Sequence, residues 1–457
     1  MDTLVVAFPP HKDIQDSMRY RFLLLGLTLA AYIVIKVIDY VVPWPTLMFL
    51  LCVALAVMIT HSLWMLWAQT RWQRQLRRNG GEILISDDQA KSWQPVVDIL
   101  IPAKNESRVI ETTVRRFFTI DYPDFNVWVI DDASTDNTAD ILRNLQKEFP
   151  RLHIVSRVPG SRPGKSAGLN DALALCRGEV IAVFDADAYV EPEFLQTILP
   201  VLAPEGVGAV QAQKKFYPHQ TQLLVKCQAS EYATDTYFQM SRDLIGGTVE
   251  LRGNGQLVKR AALIDCGGWN NNTITDDLDL SMRLLVNKWD IRFCPHAVVY
   301  EEGVPTWKAL VKQRRRWAEG SIRRYLDYIF PINSPTRLSF IERIDTMAFF
   351  SLFGVPALVF LEGLSQLVAL MTGQPFYPRF FFAVLAVVLA ISATNFFIAM
   401  RFYQNKMSVP ETMLQTCMSM VYVFSLWMPV VFGSFLRILL TQHASQWHRT
   451  EHVGTHS

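Results

Sequence analysis

Two long apolar runs open this chain and three more close it, with a hydrophilic stretch between, and that layout restricts it to a cytosolic domain held between membrane anchors. Residues 20–42 are apolar but for Arg21 at their start, Lys36 and Asp39, and 44–68 but for His61. Each approaches the ~20 residues that cross a bilayer, and the two charges near the end of the first run can snorkel. The first run is too long for a cleaved leader, and a second follows at once. Beyond the middle, 346–372 holds Pro356 and Glu362, 380–400 is uncharged, and 413–440 carries Pro429 and Arg437. The last of these is open between a full crossing and a broken, partly interfacial helix. Arg19, Arg21, Arg71, Arg74, Arg77 and Arg78 flank the first pair, whose connecting turn VVPWP is uncharged. The positive-inside rule then puts the N-terminus and everything after Arg71 in the cytoplasm, as Arg401 and Lys406 do for their end of the chain. The expected units are 1–70 with two spans, 71–305 as the cytosolic domain, 306–335 as an amphipathic interfacial helix, and 336–457 with about three spans.

Composition agrees: half of the 457 residues are apolar and 19% charged, a membrane-protein profile. A formal net charge of +2 gives no overall field for nucleic acid, which is not expected as a partner. The six cysteines are scattered without a CxxC pair, arguing against a zinc site or a disulfide framework. Four of them fall in the middle, which fits a reducing cytosol.

In that middle, apolar runs at 96–101, 125–130, 152–156, 180–184 and 208–212 are short and bounded by turn residues. Helical patterns at 109–119, 138–149 and 166–176 separate the early ones. Strands alternating with helices predict an α/β fold with a mostly parallel sheet and a ligand beyond the carboxyl ends of its strands.

The polar motifs fall at those ends. PAKNES (102–107) offers backbone N–H groups, with Asn105 and Glu106 able to bond a base or ribose, although an ordinary loop and helix cap explains it too. IDDASTDNT (130–138) puts Asp131 and Asp132 after a buried strand, while Asp136 and Asn137 suit a cap for the next helix. PGSRPGKSAGLNDAL (159–173) brings Arg162 and Lys165 to a glycine-rich helix start suited to a diphosphate. In VFDADAY (183–189), Asp185 and Asp187 lie two apart, so in extended chain both can face one Mg²⁺ or Mn²⁺ completed by phosphate oxygens. In 251–280 a glycine-rich loop leads into TITDDLDL. Thr275, Asp276 and Asp279 suit a helix start, which leaves Asp277 as a general base for an acceptor hydroxyl. Trp269, after a Gly-Gly pair, is a candidate platform for a sugar face, with a plain core position as the alternative. VKQRRRWAEGSIRRYLD (311–327) sets Gln313, Arg316 and Trp317 on one helical face, a set suited to a phosphorylated, sugar-bearing group. Its surrounding mixture of arginines and aromatics predicts a helix lying flat on a membrane surface.

In order and spacing, PAKNE, VIDD, GK…LND, DAD, TDD and QRRRW together resemble the family 2 glycosyltransferases with a GT-A fold, a Rossmann-like cytosolic domain flanked by transmembrane helices. That group includes the cellulose, chitin, hyaluronan and poly-N-acetylglucosamine synthases, and the resemblance covers about 100–330 and the flanking spans. It implies that Asp132 (or Asp131) contacts uridine, with Ala103, Asn105, Glu106 and Lys165 as further nucleotide-sugar contacts. Asp185 and Asp187 hold the metal and diphosphate, Asp277 is the base, and Gln313, Arg316 and Trp317 line the acceptor and diphosphate site. A single base opposite a UDP leaving group implies inversion. Those synthases carry Thr-Glu-Asp where this chain has Thr275-Asp276-Asp277. With EEGV (301–304), that departure looks more like the cyanobacterial monoglucosyldiacylglycerol synthases, which move glucose from UDP-glucose to diacylglycerol. The expectation is therefore a lipid glucosyltransferase in the plasma membrane or, if cyanobacterial, a thylakoid. The alternative is a processive β-polysaccharide synthase whose partner is a growing glycan.

Overall fold

The segment VDILIPA forms β1 (Val97–Ala103), and all of it but Pro102 is buried, the pattern of a strand covered on both faces. The computed structural model describes residues 22–27, 29–31, 33–34, 46–78, 92–158, 160–162, 164–373, 378–404 and 407–440. The described parts of the first apolar run are helical. The calls on Arg19, Arg21, Lys36, Asp39 and Lys406 lie outside the described residues.

From α1 (Thr46–Arg78), the chain enters β1, α2 (Ile110–Phe117), β2 (Phe125–Asp131), α3 (Thr138–Glu148), β3 (Leu152–Ser156), α4 (Lys165–Leu173) and β4 (Val180–Val183). A short β5 (Tyr189–Val190), α5 (Phe194–Leu202) and β6 (Val207–Phe216) follow, then α6 (Leu223–Leu244), β7 (Gln256–Lys259) and α7 (Arg260–Asp265). The domain closes with α8 (Asp276–Val286) and β8 (Asp290–Glu301). Beyond it run α9 (Trp307–Ile332), α10 (Phe340–Thr372), α11 (Pro378–Tyr403) and α12 (Val409–Leu440).

One eight-stranded sheet has the order β3-β2-β1-β4-β7-β6-β8-β5. The β1–β2, β2–β3, β1–β4 and β6–β8 pairs are parallel; those of β7 with β4 and β6, and of β5 with β8, are antiparallel. The mixed half follows from β7, which enters from the loop over the carboxyl edge and so must run back. Register does the positioning. Ala103 lies opposite Asp131, so the PAKNES and DDAS loops leave from adjacent points, and Val183 lies opposite Gln256, which brings the RGNG loop beside the DAD segment.

Periodicity explains the covering helices. Ile110, Thr113, Val114 and Phe117 form the buried stripe of α2, and Thr138, Leu142 and Leu145 that of α3. With α5 they cover one face of the sheet, while α4, α6, α7 and α8 cover the other. α6 also packs on α1, α11 and α12, so it bridges the soluble layers to the long apolar helices. By length and hydropathy, two segments among the described residues could cross a membrane, Phe382–Tyr403 and Val409–Leu440. α1 and α10 are 33 residues each. α10 opens on a capping box, in which Ser339 Oγ accepts the Glu342 N–H and Glu342 returns the bond to Ser339 N–H.

α9 departs from the flat surface helix expected. Arg315 is exposed and Trp307 partly so, but Arg314, Ala318, Glu319, Arg323, Arg324 and Tyr325 are buried. The arginines tolerate this because carboxylates meet them: Glu231 at Arg314, Glu319 at Arg323 and Asp279 at Arg324. α9 is thus wedged between the sheet domain and the long helices.

A second buried charge ties the same layers. Arg242 of α6 donates to Asp345 of α10 at 2.8 Å, the same carboxylate accepts the Thr248 N–H at 2.9 Å, and His61 of α1 lies 2.9 Å from its other oxygen. Arg242 and Asp345 are both fully buried. Asp345→Ala removes the bonded partner of the guanidinium and leaves it only Glu250, 3.7 Å away, among the described residues. The expected cost is about 3 kcal/mol of stability. Thermal unfolding of the detergent-solubilised variant checks this; an unchanged midpoint contradicts it.

Candidate active site

At the carboxyl edge of β1, β2 and β4 opens a cavity of about 590 Å³. Ten of the residues singled out by sequence line it: Ala103, Glu106, Asp132, Lys165, Asp185, Asp187, Asp277, Gln313, Arg316 and Trp317. They come from strand ends, helix starts and α9, far apart in the chain, and the fold brings them to one wall.

Asn105 and Asp131 are not on that wall. Asn105 adopts positive φ, its N–H donates to Ser134 Oγ at 2.8 Å, and its Oδ1 accepts the Thr135 N–H at 2.7 Å, so it staples two loops together. Asp131 is buried and accepts the Ser134 N–H at 3.0 Å. Its neighbour Asp132 faces the cavity, held by Lys104 at 3.4 Å and by the buried Arg157. Of the two adjacent aspartates, one therefore shapes the turn and the other faces the cavity.

Lys165, opening α4, donates to Asp185 at 2.7 Å. Burial acts to lower its pKa, but the carboxylates of Asp185, Asp276 and Asp277 outweigh that and hold it above the ordinary lysine value. Arg162, expected beside it, is exposed and bonds Asn272 instead. Asp187 is buried and accepts the Glu302 N–H at 2.9 Å, while the Asp185 N–H donates to the buried Asn254 at 3.2 Å. Among the described residues no three His, Cys, Asp or Glu side chains converge as a self-sufficient metal cage. Two aspartates on one cavity wall instead fit a hard cation that would take its remaining ligands from a bound substrate's oxygens.

Asp277 stands in the first turn of α8, its carboxylate accepting the Leu278 N–H at 2.9 Å. Burial, then the neighbouring Asp276, push its pKa up to about 6 against the pull of the Leu278 N–H, Lys165 and Arg252. A carboxylate so poised is ionised at neutral pH and basic enough to accept a proton. Two glycines permit the fit. Gly253 has a φ of +80°, and a Cβ there would stand 3.2 Å from the Asp277 carboxylate. At Gly320, a Cβ would come within 2.4 Å of Thr275, so α9 packs directly on the start of α8. Asp279 turns away, fully buried and bonded to Arg283 at 2.8 Å and Arg324 at 2.7 Å.

Trp269 is a correction. It is completely buried in the core under α4 and α8, and Asn170 grips its backbone at 2.7 and 2.9 Å. It presents no face to a sugar.

Sequence reasoning missed a supporting set. Glu301 accepts from Tyr232 at 2.6 Å, Asn254 at 2.9 Å and Lys214 at 3.0 Å. Arg252 pairs with Asp235 and Glu250. Glu231 receives Arg314 through two nitrogens. The RGNG and EEGV motifs are visible signals for Arg252, Asn254 and Glu301; nothing local marks Glu231 or Lys214.

The cavity does not end at the polar wall. It continues between the long helices, past Met58 of α1, Phe349 and Phe353 of α10, Leu385, Val388 and Phe396 of α11, and Val423, Phe424, Met428 and Val431 of α12. Ser392 and Trp427 add the polar atoms contributed by α11 and α12 along that stretch.

The description "Glycosyltransferase like family 2" matches residues 95–320. A beta-monoglucosyldiacylglycerol synthase of Nostoc sp. is 38% identical over 373 residues, 79% of this chain and 77% of that protein. One from Trichormus variabilis is 48% identical over 236 residues, 51% of this chain and 50% of that one. A poly-beta-1,6-N-acetyl-D-glucosamine synthase of Staphylococcus epidermidis is 27% identical over 53% of this chain and 58% of its own length. Among solved structures, a mannosyltransferase from Pyrobaculum calidifontis in complex with GDP-Man and Mn²⁺ superposes with a TM-score of 0.54 at 21% identity, over 82% of this chain and 99% of that one. That last likeness establishes the fold, a GT-A sheet.

With Asp277 as base, Asp277→Asn is expected to lower turnover by about 10²–10⁴-fold while nucleotide affinity by calorimetry stays within a small factor. An equal collapse of both contradicts the assignment. The wild-type pH profile of kcat/KM is expected to fall about tenfold per pH unit below about pH 6, where Asp277 takes up its proton.

Proposed function

Because this chain belongs to the family 2 glycosyltransferases, we propose that it transfers glucose from UDP-glucose to 1,2-diacylglycerol with inversion, giving β-monoglucosyldiacylglycerol. The observation carrying this reading is the continuous cavity, which passes from the carboxylates at the sheet edge to an apolar wall between the long helices. A lipid alcohol matches both ends, hydroxyl to Asp277 and acyl chains to the wall. A growing glycan would need hydrogen-bond partners for its hydroxyls along its exit as well as aromatic platforms. From α11 and α12 this wall receives polar side-chain atoms from Ser392 and Trp427 alone among the described residues. The relative that is 38% identical over 79% of this chain is, by name, a beta-monoglucosyldiacylglycerol synthase, which supports the same reading.

In this reading Asp132 receives the uracil end and Lys165 the diphosphate. Asp185 and Asp187 would hold Mg²⁺ or Mn²⁺, whose chemistry there is to neutralise the leaving diphosphate. The acceptor oxygen attacks the anomeric carbon opposite UDP, its proton passes to Asp277, and the carbon–oxygen bond to the diphosphate breaks. Gln313, Arg316 and Trp317 face this transfer; burial lowers the Arg316 pKa despite Asp276, Asp277 and Asp185 nearby. The units 1–70, 71–305, 306–335 and 336–457 serve as anchor, catalytic domain, acceptor helix and second anchor, with catalysis on the cytoplasmic side.

Purified protein in vesicles containing diacylglycerol, given labelled UDP-glucose and Mg²⁺, is expected to yield organic-soluble label. Ethanol-insoluble label indicates polymer synthesis and overturns the lipid reading. Val388→Trp, which fills the apolar wall, is expected to raise the KM for diacylglycerol about tenfold, with nucleotide affinity unchanged.

A further inference from the structure

Glu231 of α6 sits on the cavity wall where its polar part meets its apolar part. Its carboxylate is saturated by four donors. Arg314 Nε, at 3.0 Å, and Trp427 Nε1, at 2.9 Å, reach one oxygen; Arg314 Nη2, at 2.9 Å, and Tyr422 Oη, at 2.6 Å, reach the other. Two bonds on each oxygen leave little capacity for substrate, so this group neither binds the acceptor hydroxyl nor acts as a base. Arg314, fully buried, also donates to Gln313, and its guanidinium lies 4.1 Å from the centre of the Trp317 ring. Lys214 approaches the same ring at 5.9 Å.

We propose that the Glu231–Arg314 pair is the positioning device of the acceptor site. It fixes the α9 side chains that face the transfer, Gln313 and Trp317, at a set distance from the α12 side chains that face the acyl chains. Three elements meet on one carboxylate: α6 supplies it, α9 the guanidinium, and α12 the phenol and indole. Trp427 belongs to both parts of the arrangement, since its N–H anchors α12 to Glu231 while it lines the apolar wall. The pair thus sets the register between the head of a lipid acceptor and its chains. A bidentate guanidinium resists rotation in a way that an ammonium does not, so lysine at 314 keeps the charge and loses the geometry.

This inference rests on the lipid-acceptor reading, and kinetics of Arg314→Lys and Glu231→Gln in mixed micelles test it. Each is expected to raise the KM for diacylglycerol at least about tenfold, while the KM for UDP-glucose stays within about threefold. Where either variant does not accumulate folded, Tyr422→Phe, which withdraws one donor, takes its place with an expected rise of about threefold. Equal rises in both KM values, or lost turnover at unchanged KM for the lipid, overturn the proposal. If the wild-type enzyme makes no glycolipid at all, the lipid reading itself is what fails.

Discussion

The architecture depends on keeping ionised groups out of contact with apolar surroundings unless a counter-charge meets them. α9 carries a run of arginines into the junction between the sheet and the apolar helices, a place that would expel an unpaired guanidinium. Each buried one meets a carboxylate: Glu231 at Arg314, Glu319 at Arg323, Asp279 at Arg324. Glu231 is on α6 and Asp279 on α8, so neutralising the arginines also locks α9 to two helices of the domain. Arg242 and Asp345 repeat the solution between α6 and α10.

This constraint explains how one cavity can be shared between a sheet domain and a set of long apolar helices. The sheet presents Asp132, Asp185 and Asp187 from strand ends, as an open α/β sheet does. Asp277 comes from a helix start, and Gln313, Arg316 and Trp317 come from α9. Such a set holds together only if the distance from sheet to α9 is fixed, and the buried pairs fix it. Polarity then changes along one continuous space, from carboxylates at the sheet edge to aliphatic and aromatic side chains among the long helices.

Much of this was legible in the residues. The early strands, the helices between them and the position of the motifs follow from short apolar runs and buried stripes of 3.6 period. The antiparallel return of β7 is not visible, because nothing in QLVK states which neighbour it will pair with. The adjacent aspartates 131 and 132 look equivalent in sequence and differ only in which one the turn consumes. Trp269 follows a Gly-Gly pair, as a sugar platform could, yet Asn170 pins its backbone inside the core. The surface reading of α9 fails for a related reason: an arginine in sequence looks solvated until its partner, Glu231, some 80 positions away, is brought beside it.

The contact at Gly320 reaches further than local packing. With room for a hydrogen and nothing larger against Thr275, α9 and the start of α8, which bears Asp277, close into one jaw. Redesign aimed at new acceptors therefore has its freedom on the opposite jaw, at the α11 and α12 side chains other than Tyr422 and Trp427, which Glu231 holds.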